Sequence, residues 1–457
     1  MNTDTIAAIA TFPGNAGINI IRISGDNALN IAEKIFNNKN KIQAVNLKPR
    51  YLHYGHIVDK NNKVIDEVLM SYMKGPNTYT REDIIEINCH GGIISAKKIL
   101  ETVLNHECRL AERGEFTKRA FLNGRIDLTQ AEAVIDIINS KTDSSHEISV
   151  NHLEGRLSKE INEIISRIMD LLANIEVNID FPEYDEDEVT INKVKEFSEN
   201  IINKVDRLIK TADTGKIFKE GIKTVILGKP NVGKSSLMNF LLNENRAIVT
   251  EIPGTTRDTI EEYVNIKGVP LRIIDTAGIR ETTDKIEKIG VEKALQKVDE
   301  ADLIIMLFDS SRKLEEDDEK ILNYIKNKKV IYIKNKTDLE TKLDLSMHEN
   351  IEKEAINISV LKNVGLDDII EKINRMFFEG IINVSDDLII NNVRHKNLLL
   401  KCKNSLEDVL NSIDQNMTID FIEIDLKQAM EYLGFIVGKS VSDDLMDKIF
   451  NEFCIGK

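Results

Sequence analysis

Gly228-Lys229-Pro230-Asn231-Val232-Gly233-Lys234-Ser235 fits G-x-x-x-x-G-K-[ST], a loop that wraps a phosphate chain with backbone N–H groups. Residues 222–227 before it form an apolar run of strand length, and residues 236–242 after it open a helical pattern. That is the strand–loop–helix context the motif needs. Gly228 and Gly233 let the backbone turn its N–H groups inward, an anion-binding nest at a helix N-terminus. Lys234 is then placed for the β- and γ-phosphates and the Ser235 hydroxyl for Mg²⁺, with Asn231, Val232 and Ser236 completing the loop.

Three further elements follow at the spacing such a domain requires. Asp275-Thr276-Ala277-Gly278 comes after the strand-like residues 271–274; its carboxylate can hold Mg²⁺ through water, and a glycine N–H can meet the γ-phosphate. Asn335-Lys336-Thr337-Asp338 comes after residues 330–333. An Asp there can accept from guanine N1–H and the exocyclic amine, a pair that adenine does not offer. Ser359-Val360-Leu361, after residues 355–358, can bring a backbone N–H to guanine O6. Between these elements, Gly254-Thr255-Thr256-Arg257-Asp258 carries two threonines, Thr255 and Thr256, that can supply the remaining Mg²⁺ ligand. Together they predict a Ras-like P-loop GTPase domain over residues 216–379. Ras-like enzymes place a water-orienting Gln directly after Asp-x-x-Gly, but here that position is the apolar Ile279. From the residues alone, Glu281, Asp284 and Glu287 are equally placed to replace it.

A chain of 457 residues predicts about three domains, at roughly 100–200 residues each. The net charge of −15 argues against an autonomous nucleic-acid binder, so an RNA substrate would need a local basic patch or a partner. The start, Met1-Asn2-Thr3-Asp4, carries an acid where a signal peptide is basic, and the longest apolar runs, such as residues 303–308, are strand-length. Cys89, Cys108, Cys402 and Cys454 form neither a disulfide framework nor a zinc pattern. A cytoplasmic protein with no membrane partner is expected.

In chain order, residues 1–118 read as an α+β unit. Strand-like runs lie at 5–10, 18–23, 51–58, 64–72 and 83–89, with helical spacing at 28–36 and 93–104. His90, beside Gly91 and Gly92, has no second metal ligand at useful spacing, so a structural role is expected. Residues 128–179 carry a long helical stripe through Leu157, Ile161, Ile164, Ile168, Leu171 and Ile175. A second helix through Val194, Phe197, Ile201, Val205 and Leu208 is expected to stop near Gly215. Helical periodicity resumes with Val393, Leu399, Cys402, Leu406, Val409 and Ile413 and continues from Met430 to Phe453. Each helical block leaves an apolar stripe uncovered, which predicts that 119–215 and 380–457 pack as one discontinuous helical domain around the inserted GTPase domain.

The last residues, Phe453-Cys454-Ile455-Gly456-Lys457, lack the pattern of a prenylation box. They resemble the terminus of the MnmE (TrmE) family of tRNA-modification GTPases. The resemblance covers the whole chain. It includes Asp4-Thr5-Ile6-Ala7-Ala8, Arg22-Ile23-Ser24-Gly25, His90-Gly91-Gly92, the stretch from Gly114-Glu115-Phe116-Thr117 to Asn123-Gly124-Arg125, and Asp275-Thr276-Ala277-Gly278-Ile279-Arg280-Glu281. Departures are small: Asn15-Ala16 for a common Arg-Gly, Pro253 for Ala, and Arg125 for Lys.

The resemblance implies a GTP-hydrolysing enzyme that installs an aminomethyl or carboxymethylaminomethyl group at C5 of the wobble uridine of certain tRNAs. It implies a partner, MnmG, that uses FAD and NADH, and a one-carbon unit from 5-formyl- or methylene-tetrahydrofolate. It further implies an N-terminal domain that binds the folate and forms a homodimer, with Arg22, Glu86, Arg125 and Lys457 as folate contacts. Glu86 suits the amide-amidine edge of a pterin, and the basic side chains suit its glutamate tail. Glu287 is implied as the residue that orients water. A K⁺ site is implied from Asn231 and the segment Thr250, Glu251, Ile252, Pro253, Gly254 and Thr255, through the Asn231 side chain, the Thr250 and Ile252 carbonyls and a Thr255 oxygen. Cys454 is implied to matter, as a nucleophile with Lys457 as its local cation or as a residue that packs the chain end.

Two other readings remain. A ribosome-assembly GTPase would carry an appended basic RNA-binding module, and a membrane-associated regulatory GTPase would carry a basic amphipathic helix or a lipid. The sequence displays neither feature.

Overall fold

The computed structural model describes residues 4–12, 14–37, 47–180, 187–245, 261–266, 268–274, 298–378 and 388–457. By packing, the chain separates into two compact units. One holds residues 1–135, 152–165 and 433–457, the other residues 136–151 and 166–432.

The first unit is built on strands β1 (Ile6–Ile9), β2 (Ile18–Ser24), β3 (Phe36–Asn37), β4 (Leu52–Val58), β5 (Val64–Met73), β6 (Ile84–His90) and β7 (Arg109–Leu110). They form one sheet in the order β3-β4-β5-β6-β2-β1-β7, antiparallel throughout except between β1 and β7. Period-two alternation decides what each face does. Ile21, Ile23, Ile85 and Ile87 point to one side and are buried with Ile31, Ile35, Ile99 and Val103 of helices Ala28–Ile35 and Ile93–Leu104. Arg22 and Glu86 alternate to the other side, and the β2–β6 register sets them directly opposite each other. On that face Ile6, Ala8, Ala111 and Phe116 make a smaller core with Tyr79 beside it.

The second unit contains β8 (Ile222–Leu227), β9 (Glu261–Ile266), β10 (Val269–Ile274), β11 (Leu303–Asp309), β12 (Val330–Asn335) and β13 (Ile356–Asn357). Their order is β13-β12-β11-β8-β10-β9, parallel except for the β9–β10 hairpin. Every residue of β11 is buried, as a strand covered on both faces requires. Helices Lys234–Asn245 and Leu366–Phe378 cover one face through Leu237, Leu241, Ile369 and Ile373, and helix Glu316–Ile325 covers the other through Leu322 and Ile325. The strand order reverses between β8 and β11. In open α/β sheets that is where ligands bind, outside the carboxyl ends of the strands.

The expected helical blocks are present with three corrections. Residues 128–179 are not one run but helices Leu128–Asn139, Asp143–Leu153 and Arg156–Asp180. The next helix, Asp187–Glu220, does not stop near Gly215. Gly215 is needed there because a Cβ would overlap the Ile390 carbonyl, and the helix ends instead at Gly221, whose φ is +79°. Val393 is 51% exposed rather than part of the buried stripe, since it opens helix Val393–Asp414 just after its cap Asn392. That helix lies antiparallel on Asp187–Glu220. The pairs Lys195–Asp414 (2.7 Å), Lys403–Asp206 (2.8 Å) and Lys396–Asp213 (2.7 Å) run along the seam. The α/β segment therefore leaves and re-enters the chain between two packed helices.

Candidate functional sites

The loop after β8 owes its shape to what lies beneath it. Gly228 has φ +145°, and a Cβ there would stand 2.6 Å from the Leu307 carbonyl of β11. Asn231 is at φ +63° and Gly233 at +105°, so three of the loop's six residues from Gly228 to Gly233 occupy backbone regions that turn N–H groups inward. Val232 is buried as the loop's anchor. Lys234 donates to the carbonyls of Gly228 (2.7 Å) and Lys229 (2.8 Å), which holds its ammonium inside the loop. Ser235 stands half-buried in the first turn of the helix, whose dipole favours an anion.

The Asn335–Asp338 element meets this loop. Asn335 Nδ2 donates to the Val232 carbonyl at 2.8 Å, while its Oδ1 accepts from the Val360 N–H at 3.3 Å. One amide thus ties together three segments that the sequence shows apart. Lys336, at φ +63°, pairs with Asp309 at 2.6 Å. Burial alone would raise the Asp309 carboxyl, but the hydrogen bonds from Lys336 and Ser311 outweigh it and hold Asp309 below the usual range. Ser359 Oγ donates to Asp338 Oδ1 at 2.6 Å, and that bond lowers the Asp338 pKa. The site therefore presents an oriented carboxylate close to the Val360 backbone.

Sequence reasoning missed Lys229 and the role of the Ser359 hydroxyl. Ser359 was singled out for its backbone, yet its hydroxyl orients Asp338. Lys229 is buried and pairs with Glu315 at 2.6 Å and Asp318 at 3.5 Å, pinning the loop to the start of helix Glu316–Ile325. The remaining candidates Thr250, Glu251, Ile252, Pro253, Gly254, Thr255, Thr256, Asp275, Thr276, Ala277, Gly278 and Glu287, with the rivals Glu281 and Asp284, lie outside the described residues.

In the first unit, the cross-strand pair Arg22 and Glu86 bonds through Nε and Oε1 at 2.9 Å, both side chains mostly covered. Arg22 Nη1 also donates to the Gly456 carbonyl at 3.2 Å. The tail is held there by its backbone: Gly114 N–H donates to Cys454 O at 3.4 Å and Phe116 N–H to Lys457 O at 3.1 Å. Gly456 has φ +95°, and a Cβ would overlap the Ile9 carbonyl. The Tyr79 ring takes two cations, with Arg22 at 5.7 Å and Arg125 at 4.7 Å from its centroid, and its hydroxyl meets Thr117 at 2.9 Å. No sequence signal marks Tyr79, because its role comes from register and loop position.

The packing role considered for Cys454 is corrected. Its side chain is exposed, whereas Phe453 is 1% exposed and joins Phe450, Met446 and Ala131 in a core. Burial pushes the Cys89 and Cys108 thiols up to about 11 and Cys402 up to about 12, which disfavours their thiolates. His90, expected to be structural, is held by a carboxylate. Its Nδ1 pairs with Asp66 at 2.7 Å, and Asp66 also accepts from the His90 N–H at 3.0 Å and from Ser95 at 2.5 Å. The neighbouring Gly91 is required because a Cβ would overlap the Ala16 carbonyl.

A phosphate loop at the switch point of a doubly wound sheet, locked to an Asn-Lys-x-Asp element, defines a P-loop GTPase. Residues 128–454 match the family described as MnmE helical domain, and residues 5–125 that described as GTP-binding protein TrmE N-terminus. The chain is 54% identical over 458 residues to the tRNA modification GTPase MnmE of Clostridioides difficile (strain 630), covering 99% of each. It is 52% identical over 457 residues to the protein of that name from Alkaliphilus oremlandii (strain OhILAs), again covering 99% of each. The chain belongs to the MnmE family.

Proposed function

We propose that this chain is a GTP-hydrolysing enzyme of tRNA modification, working on C5 of the wobble uridine with an FAD- and NADH-using partner, MnmG. The observation that carries the GTP half is Asp338, held by Ser359 next to Val360 and tied through Asn335 to the phosphate loop. Ser235 and Thr256 would hold Mg²⁺. Asn231, Thr250, Ile252 and Thr255 would hold K⁺, and Glu287 would orient the attacking water. When bound, the two ions would supply positive charge for the oxygens on which charge develops during phosphoryl transfer.

The tetrahydrofolate half is supported by the donor set in the first unit. Glu86 takes Arg22 on one carboxylate oxygen, which leaves the other for an amidine edge. Arg22, Glu86, Arg125 and Lys457 would hold a 5-formyl- or methylene-tetrahydrofolate, the source of the one-carbon unit. The enzyme would act as a homodimer in the cytoplasm, and Cys454 would serve chemistry rather than packing. Among the described residues, no helix is long and apolar enough to cross a membrane.

Nucleoside analysis of tRNA from cells lacking the protein tests this reading. The C5 modification should be absent, and the wild-type chain should restore it where Glu86→Ala and Asp338→Asn do not. Unchanged tRNA in the deletion strain would overturn the assignment.

A further inference from the structure

A cleft of about 660 Å³ opens in the first unit and is lined by Arg50, Tyr51, Asn77, Tyr79, Arg81 and Arg125 among others. That volume suits a small molecule. Among the described residues no carboxylate lines it, although the chain as a whole carries a net charge of −15. Among the described residues, none of the three arginines is paired with an acid. Arg50 donates to the Asn77 carbonyl at 3.1 Å and Arg81 to the Asn123 carbonyl at 2.9 Å, contacts that orient each guanidinium and leave its charge uncompensated. Both residues have left-handed backbones, with φ of +65° and +63°. Arg125 lies on Tyr79, and Arg22 lies on that same ring. Tyr79 is thus a wall shared by the cleft and the Arg22–Glu86 pair.

We propose that this cleft binds the γ-linked oligoglutamate tail of a conjugated folate, so that Arg50 and Arg81 select polyglutamylated over monoglutamylated cofactor. The proposal rests on the folate reading above. With a head group at Arg22 and Glu86, a tail that passes Tyr79 enters the cleft, and each added glutamate brings one more carboxylate to an unpaired guanidinium. Guanidinium suits this task because it binds carboxylates bidentately. Three cations in a small cleft match a short oligocarboxylate better than an RNA backbone, whose contacts spread over a wide basic surface.

The test is calorimetric titration of the full chain with 5-formyl-tetrahydrofolate carrying one or three glutamates. The triglutamate should bind roughly tenfold tighter, the sum of two or three partly exposed ion pairs. The double variant Arg50→Gln/Arg81→Gln should lose that preference, while its monoglutamate affinity stays within about twofold and shows that it is folded. Equal binding of both conjugates to the wild type would overturn the proposal with the folate reading intact. Failure of both to bind would remove the folate reading and the proposal with it. A preference that survives in the double variant also overturns it. So does a loss of tRNA affinity in that variant with the conjugate preference unchanged, which would assign the cleft to RNA.

Discussion

Asn335 reaches back 103 residues along the chain to hold the phosphate loop, its Nδ2 donating to the Val232 carbonyl at 2.8 Å. The amide lies where a Cβ on Gly233 would have to be. The second glycine of the loop and the Asn of the guanine element are therefore one packing unit, and neither can change alone.

Gly233→Ala should consequently damage nucleotide binding through both overlap and backbone strain. Strain at such a φ costs about 1–3 kcal/mol, which is roughly a tenfold to hundredfold loss of GDP affinity. Calorimetry on the purified variant checks this. Affinity at the wild-type level would mean that the loop does not rest on Asn335.

Asp338→Asn should relax guanine specificity, because the amide presents a donor where guanine also presents one. Ser359→Ala should have a milder effect, since Asp338 keeps its charge but loses the 2.6 Å bond that aims it. One such hydrogen bond contributes about 0.5–1.5 kcal/mol, so GTP should bind roughly twofold to tenfold more weakly. A competition assay between GTP and XTP reads both. An unaltered GTP preference in Asp338→Asn would sink the assignment.

Steady-state hydrolysis should be much faster in KCl than in NaCl at equal ionic strength, and Asn231→Ala should erase the difference. Asn231 stands exposed in the loop at φ +63°, where an amide oxygen can join an all-oxygen site for a hard cation. Equal rates in the two salts, with GTP bound, would exclude the cage.

Glu287→Ala should retain GTP binding and lose most turnover, because positioning of water and binding of substrate are separable. Filter binding and phosphate release on the same preparation decide it. Turnover near the wild-type rate would shift the role to Glu281 or Asp284.

The first unit should weaken in acid through Glu115. Burial alone would raise this carboxyl, but bonds from Arg109, the Glu112 N–H and Arg119 outweigh burial and hold its pKa below the ordinary value. The folded value lies below the unfolded one, so the contribution is fully present above about pH 4.5 and is lost as pH falls through the folded pKa. Glu115→Gln should cost about 3 kcal/mol near neutral pH and flatten the acid slope. Hydrogen exchange of helix Glu115–Leu122 across pH 3–7 measures both; an unchanged slope would refute the role.

The sequence made the GTPase site legible because that chemistry is written in contiguous residues. Gly228 to Ser235 and Asn335 to Asp338 each carry their own geometry, and the unbroken apolar run Leu303 to Phe308 of β11 announces its double burial. Residues whose roles come from register were illegible. Arg22 and Glu86 look like surface charges until β2 and β6 are aligned, and Tyr79 gains meaning only beside two arginines. Gly215 shows the reverse error. A glycine reads locally as a helix stop, while its actual cause, the Ile390 carbonyl, lies far away in sequence. Only the family resemblance, and no pattern in the residues, raised the expectation that Arg22 and Glu86 contact a folate.

The hydrogen bond from Arg22 to Gly456 joins residues 434 positions apart within one unit. During synthesis at about 5–20 residues per second, roughly 20–90 s separate their emergence from the ribosome. For that interval the N-terminal sheet stands without Phe453 and Gly456, with the groove beside Gly114 and Phe116 open. The second unit is completed first on every nascent chain, so the nucleotide switch exists before the site beside Arg22 does. A newborn molecule can thus meet GTP before its first unit is complete.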